Sequence, residues 1–189
     1  MPGGIAVDDQ SNRHDFSGVV SEIASRLVDV RPEEFDVVLD EILRRIGTFA
    51  KSAGAFICQY SAQDDLLSLT HAWTIDMARP RDAFTQNVAA AHTPALMNVL
   101  KDSGLVALTS VDDLPPDTDH ERALIEAAGI RSLIEVPLGF KRKFFGVAGL
   151  VLFHNARAWT EDQINLLSIV AQLFTNALHH KHVEDALSN

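Results

Sequence analysis

Apolar residues recur at alternating spacings of four and three in three parts of this chain, and this period predicts amphipathic helices. The first predicted helix runs from residue 16 to residue 30. The second runs from about Pro32 to Ser52, where Gly54 is predicted to stop it. The third lies near the C-terminal end. The three apolar seams are Phe16, Val20, Ile23, Leu27 and Val30; Phe35, Leu39, Ile42, Ile46 and Phe49; and Ile164, Leu167, Ala171, Phe174 and Leu178.

Two segments that follow the second helix alternate with period two and therefore predict strands. They are AFICQYS and LLSLTHAWT, and the intervening QDD predicts the turn of an antiparallel hairpin. From Ile75 to Val106 the pattern weakens, apart from a predicted helix from Thr93 to Asp102. In the second strand a regular alternation places four residues on one face, namely Leu67, Leu69, His71 and Trp73.

The run FFGVAGLVLFH is apolar on both of its alternating faces. A strand of this kind lies in the middle of a sheet that is covered on both sides. Before it, HERALIEAAG predicts a helix and IRSLIEVPL predicts a further strand. We therefore predict an α+β fold, in which a central antiparallel sheet of about five or six strands carries helices on both faces.

Composition limits the class of protein. A chain of 189 residues that is 47% hydrophobic is long enough for one domain with a full core. It has no apolar run of membrane-spanning length and no signal-peptide pattern, so we expect a cytoplasmic protein that does not bind membranes. Its net charge of -10 argues against nucleic-acid binding. Its one cysteine, Cys58, excludes an internal disulfide.

The segment that begins at Gly129, GIRSLIEVPLGFKRKFFGVAGLVLFHNARAWTEDQINLLSIVAQLFTNAL, resembles the closing half of a GAF domain. SLTHAW and SVDDLPPDTDHERALIEAAGIRSLIEVPL are similar to a bacterial GAF subgroup that precedes catalytic or DNA-binding output domains. The resemblance implies a GAF/PAS-like fold and a cytosolic small-molecule sensor. The resemblance covers a GAF domain over 16–178. Residues 1–15 are polar and aperiodic, which predicts a mobile tail. The apolar seam decays after Leu178, which indicates a connector helix over 179–189 that leads towards an output domain.

The same resemblance argues against several specific activities. Members that bind cyclic nucleotides carry an Asn-Lys pair and an acidic set, whereas this chain has Trp159, Asp162 and Gln163 there. Bilin-binding members attach the chromophore through a suitably placed cysteine, whereas Cys58 lies in the first predicted strand. GAF-fold methionine sulfoxide reductases use more than one cysteine. We therefore expect no catalytic residues, no cofactor and no metal site.

The family places its ligand cavity between one sheet face and the variable middle of the chain. On this sequence the cavity maps onto the strand from Leu67 to Trp73 and the region from Phe84 to Met97. A mostly apolar pocket with few polar groups suits a small-molecule ligand. The candidate ligand-binding residues are His71, Trp73, Phe84, Met97, Arg131 and Glu135.

Each polar candidate has a structural alternative. A histidine on an apolar face is more often a hydrogen-bonded core residue than a ligand contact, and this alternative applies to His71. Arg131 stands at a strand start, where arginine is usually exposed. Glu135 shares a face with Leu133 and Pro137, so it is buried and paired, or it lies at a cavity edge, or its end of the strand is solvated. Solvation is the default prediction for Glu135.

The terminal helices suggest how a signal would leave the domain. Their seams predict a homodimer in which the first and last helices form a bundle, although both seams packing on their own sheet would instead give a monomer. The predicted function is therefore a ligand-sensing regulatory domain that controls an output domain, such as a kinase, a cyclase or a transcription regulator, in cis or in trans. The alternative is a dimerisation or autoinhibitory module with a filled core and no ligand.

Overall fold

The computed structural model describes residues 6–28, 30–75, 87–102, 104–140 and 143–187. Its helices in these ranges are α1 (Ala6–Val28), α2 (Phe35–Phe49), α3 (Pro94–Asp102), α4 (Asp119–Ala127) and α5 (Glu161–Leu187). Its strands are β1 (Gly54–Ser61), β2 (Leu66–Thr74), β3 (Val88–Ala89), β4 (Val106–Leu108), β5 (Ser132–Phe140) and β6 (Lys143–Leu152).

These strands form one sheet in the order β3-β2-β1-β6-β5-β4, and every neighbouring pair is antiparallel. The sheet confirms the predicted α+β class and the predicted number of strands. β6 lies between β1 and β5, and its residues from Gly146 to Leu152 are all buried, as expected for a central strand. β3 is absent from the predicted elements because two residues are too few to establish a period.

Three helices cover one face of the sheet. α2 packs on β1 and β2, α5 packs on β5, and α1 packs on both α2 and α5. The predicted apolar seams supply this core, in which six of their residues are at most 1% exposed: Ile23, Leu39, Ile42, Ile46, Leu167 and Phe174. The buried parts of the first and last seams are therefore already occupied within one chain.

Two predicted helix boundaries are wrong. α1 begins at Ala6, so the polar residues before Phe16, which lack an apolar period, are helical as well. α2 ends at Phe49 and does not reach Ser52. The physical reason is a left-handed turn at Lys51, whose φ is 49°, and Gly54 is already the first residue of β1.

A bulge in β6 lies where this strand comes close to the backbone of β1. Leu138 of β5 pairs with Gly146, but the next residue of β5 pairs with Phe144, which leaves Phe145 as the extra residue. Gly146 has a φ of 149°, a conformation that favours glycine. A Cβ at this position would overlap the backbone carbonyl oxygen of Cys58. The contact between β1 and β6 therefore depends on this glycine.

Candidate functional site

The second face of the sheet encloses a cavity of about 100 Å³ under a roof made by α3 and α4. We call it the sheet cavity. The roof is apolar and includes Met97, Leu100 and Ile125. The floor comes from alternate residues of the three central strands β1, β5 and β6, namely Phe56, Cys58, Leu133, Glu135 and Val147.

A bulge in β2 decides which side chains reach this cavity. His71 pairs with Ile57 of β1, but Leu69 pairs with the next residue, Cys58, so Thr70 is an extra residue in β2. An extra residue reverses the alternation of faces along a strand. The sequence-based prediction that Leu67, Leu69, His71 and Trp73 share one face is therefore wrong.

The side chains of the two halves of β2 consequently pack on opposite faces of the sheet. Leu67 and Leu69 line the sheet cavity. Trp73 lies on the opposite face against α2, where a Cβ at Gly47 would overlap its indole ring. His71 also lies on that face, with its Nε2 atom 3.5 Å from Oδ1 of Asp36 on α2. The ligand contacts predicted for His71 and Trp73 thus find no support in the position of the cavity.

Glu135 lies in the middle of β5, between Val106 of β4 and Gly149 of β6. Among the described residues that line the cavity it is the only charged one, and the default prediction of a solvated strand end is wrong. Loss of hydration raises the pKa of the Glu135 carboxyl from 4.5 to about 7. Within the described parts of the chain, no hydrogen bond or ion pair engages this carboxyl group.

Cys58 shares the cavity floor with Glu135. Burial raises the pKa of the Cys58 thiol, and the nearby Glu135 carboxylate raises it further. A buried thiol with a raised pKa is a poor nucleophile, because the thiolate is the reactive form. The Cys58 side chain therefore acts as a small apolar part of the floor.

Gly149 of β6 pairs with both Phe56 of β1 and Glu135 of β5. A Cβ at this position would overlap the ring of Phe56 and crowd the carbonyl oxygen of Ile134. Because Gly149 has no side chain, the Phe56 ring can lie against β6, the strand between Phe56 and Glu135. Gly149 therefore influences the shape of the cavity floor beside Glu135.

The helix α3 is anchored at both ends. At its start, the N–H of Ala95 donates to Oε1 of Glu121 on α4 at 3.0 Å, and Glu121 is 2% exposed. At its end, Nζ of Lys101 lies 5.4 Å from the ring centre of Tyr60 and 5.7 Å from that of Phe144. These contacts tie the roof to α4 and to the sheet. No local sequence pattern predicts them, because their partners are distant in the chain.

The remaining candidates are placed as follows. Met97 lies in the roof and, like Glu135, lines the sheet cavity. Arg131 is exposed at the start of β5, where its backbone N–H donates to the carbonyl oxygen of Leu152. Phe84 lies outside the described residues. Sequence reasoning missed Phe56 and Cys58, although the alternation of β1 contained the signal.

A family model for the GAF domain matches residues 34–178 of this chain. The chain belongs to the GAF family. This membership confirms the resemblance carried by the strand and helix pattern after Gly129. A weaker relative is the methanogenesis regulatory histidine kinase FilI of Methanothrix harundinacea, which is 23% identical over 142 residues. The aligned region is 73% of this chain and 16% of the length of that kinase.

Solved structures show the same fold at low sequence identity. A phycocyanobilin-bound GAF domain from a cyanobacterial phytochrome superposes with a TM-score of 0.73 at 16% identity, covering 89% of this chain and 96% of that one. The GAF domain of an Acinetobacter phosphoenolpyruvate-protein phosphotransferase gives a TM-score of 0.69 at 15% identity, covering 90% and 97%. These two structures therefore share the fold of this GAF domain.

Across the described residues, no helix has the length and apolar character needed to cross a membrane. The same part of the chain holds no group of three or more histidine, cysteine, aspartate or glutamate side chains arranged to bind a metal ion.

Proposed function

We propose that this chain is a cytoplasmic regulatory domain that senses a small molecule in the sheet cavity and passes the signal to an output domain. The observation that carries the proposal is Glu135, a carboxyl group placed on the floor of an otherwise apolar cavity. The Glu135 side chain is half-buried, and removing a carboxyl group from water without a partner destabilises the folded chain. Groups of this kind are concentrated at functional sites, where a ligand supplies the missing partner.

The volume of the cavity limits the ligand. An apolar cavity of roughly 150 Å³ holds benzene, whereas pockets for drug-sized ligands begin at about 300 Å³. A space of about 100 Å³ therefore suits a molecule of a few heavy atoms. It is too small for a tetrapyrrole or a cyclic nucleotide, and a nucleotide phosphate would also face Glu135. We expect calorimetry with cyclic GMP and cyclic AMP to detect no binding at low micromolar concentrations.

The strand β5 offers a route for the signal. Leu133 and Glu135 face the sheet cavity, while Ile134 and Val136 alternate onto the opposite face, where α5 packs on β5. A ligand that binds one position of β5 more tightly than another shifts the packing of α5. The histidine kinase relative supports an output domain attached in cis.

We also propose a homodimer through the outer surfaces of α1 and α5. Since Phe174 is buried in its own chain, the contact would use partly exposed neighbours such as Val20 and Leu173. Val20→Asp is expected to weaken association. Light scattering at high micromolar protein concentration tests this, and a monomeric wild-type protein would remove the dimer from the proposal.

Ligand-dependent thermal stabilisation across a metabolite panel tests the sensing function, because a ligand that binds only the folded state raises the midpoint of unfolding. Cys58→Leu fills the cavity floor, and Cys58→Ala is the matched control that does not. We expect hits to stabilise the wild type and Cys58→Ala but not Cys58→Leu. A ligand that stabilises all three proteins equally would have to bind outside the sheet cavity. No hits would favour the dimerisation module without a ligand.

A further inference from the structure

We propose that the ligand is a small monoamine, whose protonated nitrogen pairs with the Glu135 carboxylate and whose apolar body fills the sheet cavity. This inference rests on the proposed sensing function and names the chemical class of its ligand. It comes from the charge, the walls and the volume of the cavity.

The charge of the cavity selects a cation. Glu135 is an acceptor when ionised, and no lysine, arginine or histidine is present among the described residues that line the cavity. An anionic ligand would therefore lack a counter-charge and would meet a carboxylate. A protonated amine supplies three N–H donors to Glu135 and removes the cost of an unpaired buried charge. The net charge of the chain, -10, also attracts cations towards its surface.

The residues that line the cavity favour a ligand with one charged group and an otherwise apolar body. Phe56, Leu69 and Met97 face the same space as Glu135, and Thr93 is the one hydroxyl residue among the described lining residues. A second charge on the ligand would therefore be buried without a partner. Diamines and free amino acids are disfavoured for this reason. A small alkyl body of about three to five carbon atoms is compatible with the volume of the cavity.

Proton release provides a signature of this pairing. The pKa of the Glu135 carboxyl is about 7 in the empty cavity, so at pH 7 about half of the molecules carry a proton there. Among the described lining residues the only other titratable side chain is Cys58, whose pKa is raised, so its thiol stays protonated at this pH. An ammonium group stabilises the ionised carboxylate. Binding at pH 7 is therefore expected to release about half a proton to the buffer.

The test compares ligands that share a body and differ in one group. Isobutylamine, isobutanol and isobutyrate form one set, and isopentylamine, isopentanol and isovalerate form a second set. Calorimetry at pH 7 in phosphate and in MOPS, two buffers that differ in ionisation enthalpy and contain no primary amine, measures affinity and proton release together. In at least one set we expect the amine to bind the wild type about tenfold more tightly than the alcohol. The carboxylate of that set should not bind.

Glu135→Gln is the matched variant, because it keeps the shape of the side chain and removes the charge. In this variant the amine should lose its advantage over the alcohol, and proton release should disappear. An alcohol or carboxylate that binds the wild type as tightly as its amine overturns the inference. If that binding is abolished by Cys58→Leu, the sensing cavity stands and only the ligand class is wrong. The inference also fails if neither amine binds the wild type with a dissociation constant of about 10 mM or less.

Discussion

Glu135 should make the stability of this domain fall as the pH rises through the weakly acid range. Below pH 4.5 the carboxyl group is protonated in both the folded and the unfolded chain, so it has no effect on the pH dependence. Between 4.5 and about 7, the unfolded chain loses the proton while the folded chain keeps it. The free energy of unfolding therefore decreases across this window, and above pH 7 the penalty is constant.

The size of the effect follows from the difference between the two pKa values. A pKa that moves from 4.5 to about 7 corresponds to about 3 kcal/mol, at roughly 1.4 kcal/mol for each pH unit. For a domain of this length, that lowers the midpoint of thermal unfolding by about 6–12 °C. Glu135→Gln is uncharged at every pH and should be free of this loss.

The assay is urea unfolding of the wild type and Glu135→Gln, measured from pH 4 to pH 8. The other ionisable groups of the chain are common to both proteins, so their contributions cancel in the difference. We expect Glu135→Gln to gain about 3 kcal/mol on the wild type between pH 4.5 and 7. A difference that stays flat across this window, or that changes in the opposite direction, would refute the argument that Glu135 is desolvated.

Three further changes test other parts of the structure. Glu121→Ala leaves the N–H of Ala95 without its buried acceptor and should cost about 1–3 kcal/mol in urea unfolding, whereas Glu121→Gln should retain most of the stability. Gly146→Ala places a Cβ against a backbone carbonyl at a φ that disfavours alanine; a loss of less than about 1 kcal/mol would contradict the described approach of β1 and β6. Trp73→Ala should lower the free energy of unfolding by about 3 kcal/mol but should leave stabilisation by a cavity ligand unchanged. If the folded variant no longer responds to the ligand, Trp73 is part of the binding site.

Much of the fold is predictable from this sequence because the signals are periodic and repeated. The seams of α2 and α5 each extend over several turns, and the two apolar faces of β6 indicate a central strand. The helix boundary near Lys51 is less predictable, because a left-handed residue other than glycine leaves no mark in the composition. Only the surrounding structure fixes its conformation.

The site is predictable in part. Met97 and Glu135 are two of the candidate residues, and both line the cavity. The GAF resemblance points to Met97, whereas the alternation of β5 leaves Glu135 open between burial, a cavity edge and solvent. His71 and Trp73 are assigned to the wrong face, because a single extra residue in β2 reverses the alternation without altering the hydrophobic pattern. The anchors Glu121 and Lys101 depend on tertiary contacts that no local pattern encodes.

The bulge at Thr70 keeps the sheet cavity open. If β2 paired regularly after Leu69 with Thr70 retained, Thr70 would lie opposite Ile57 and the Trp73 indole would turn towards the sheet cavity. An indole is larger than a space of about 100 Å³ and would fill it, giving a solid core in place of a binding site. One unpaired residue in an edge-side strand thus decides whether the same sequence encloses a space or fills it.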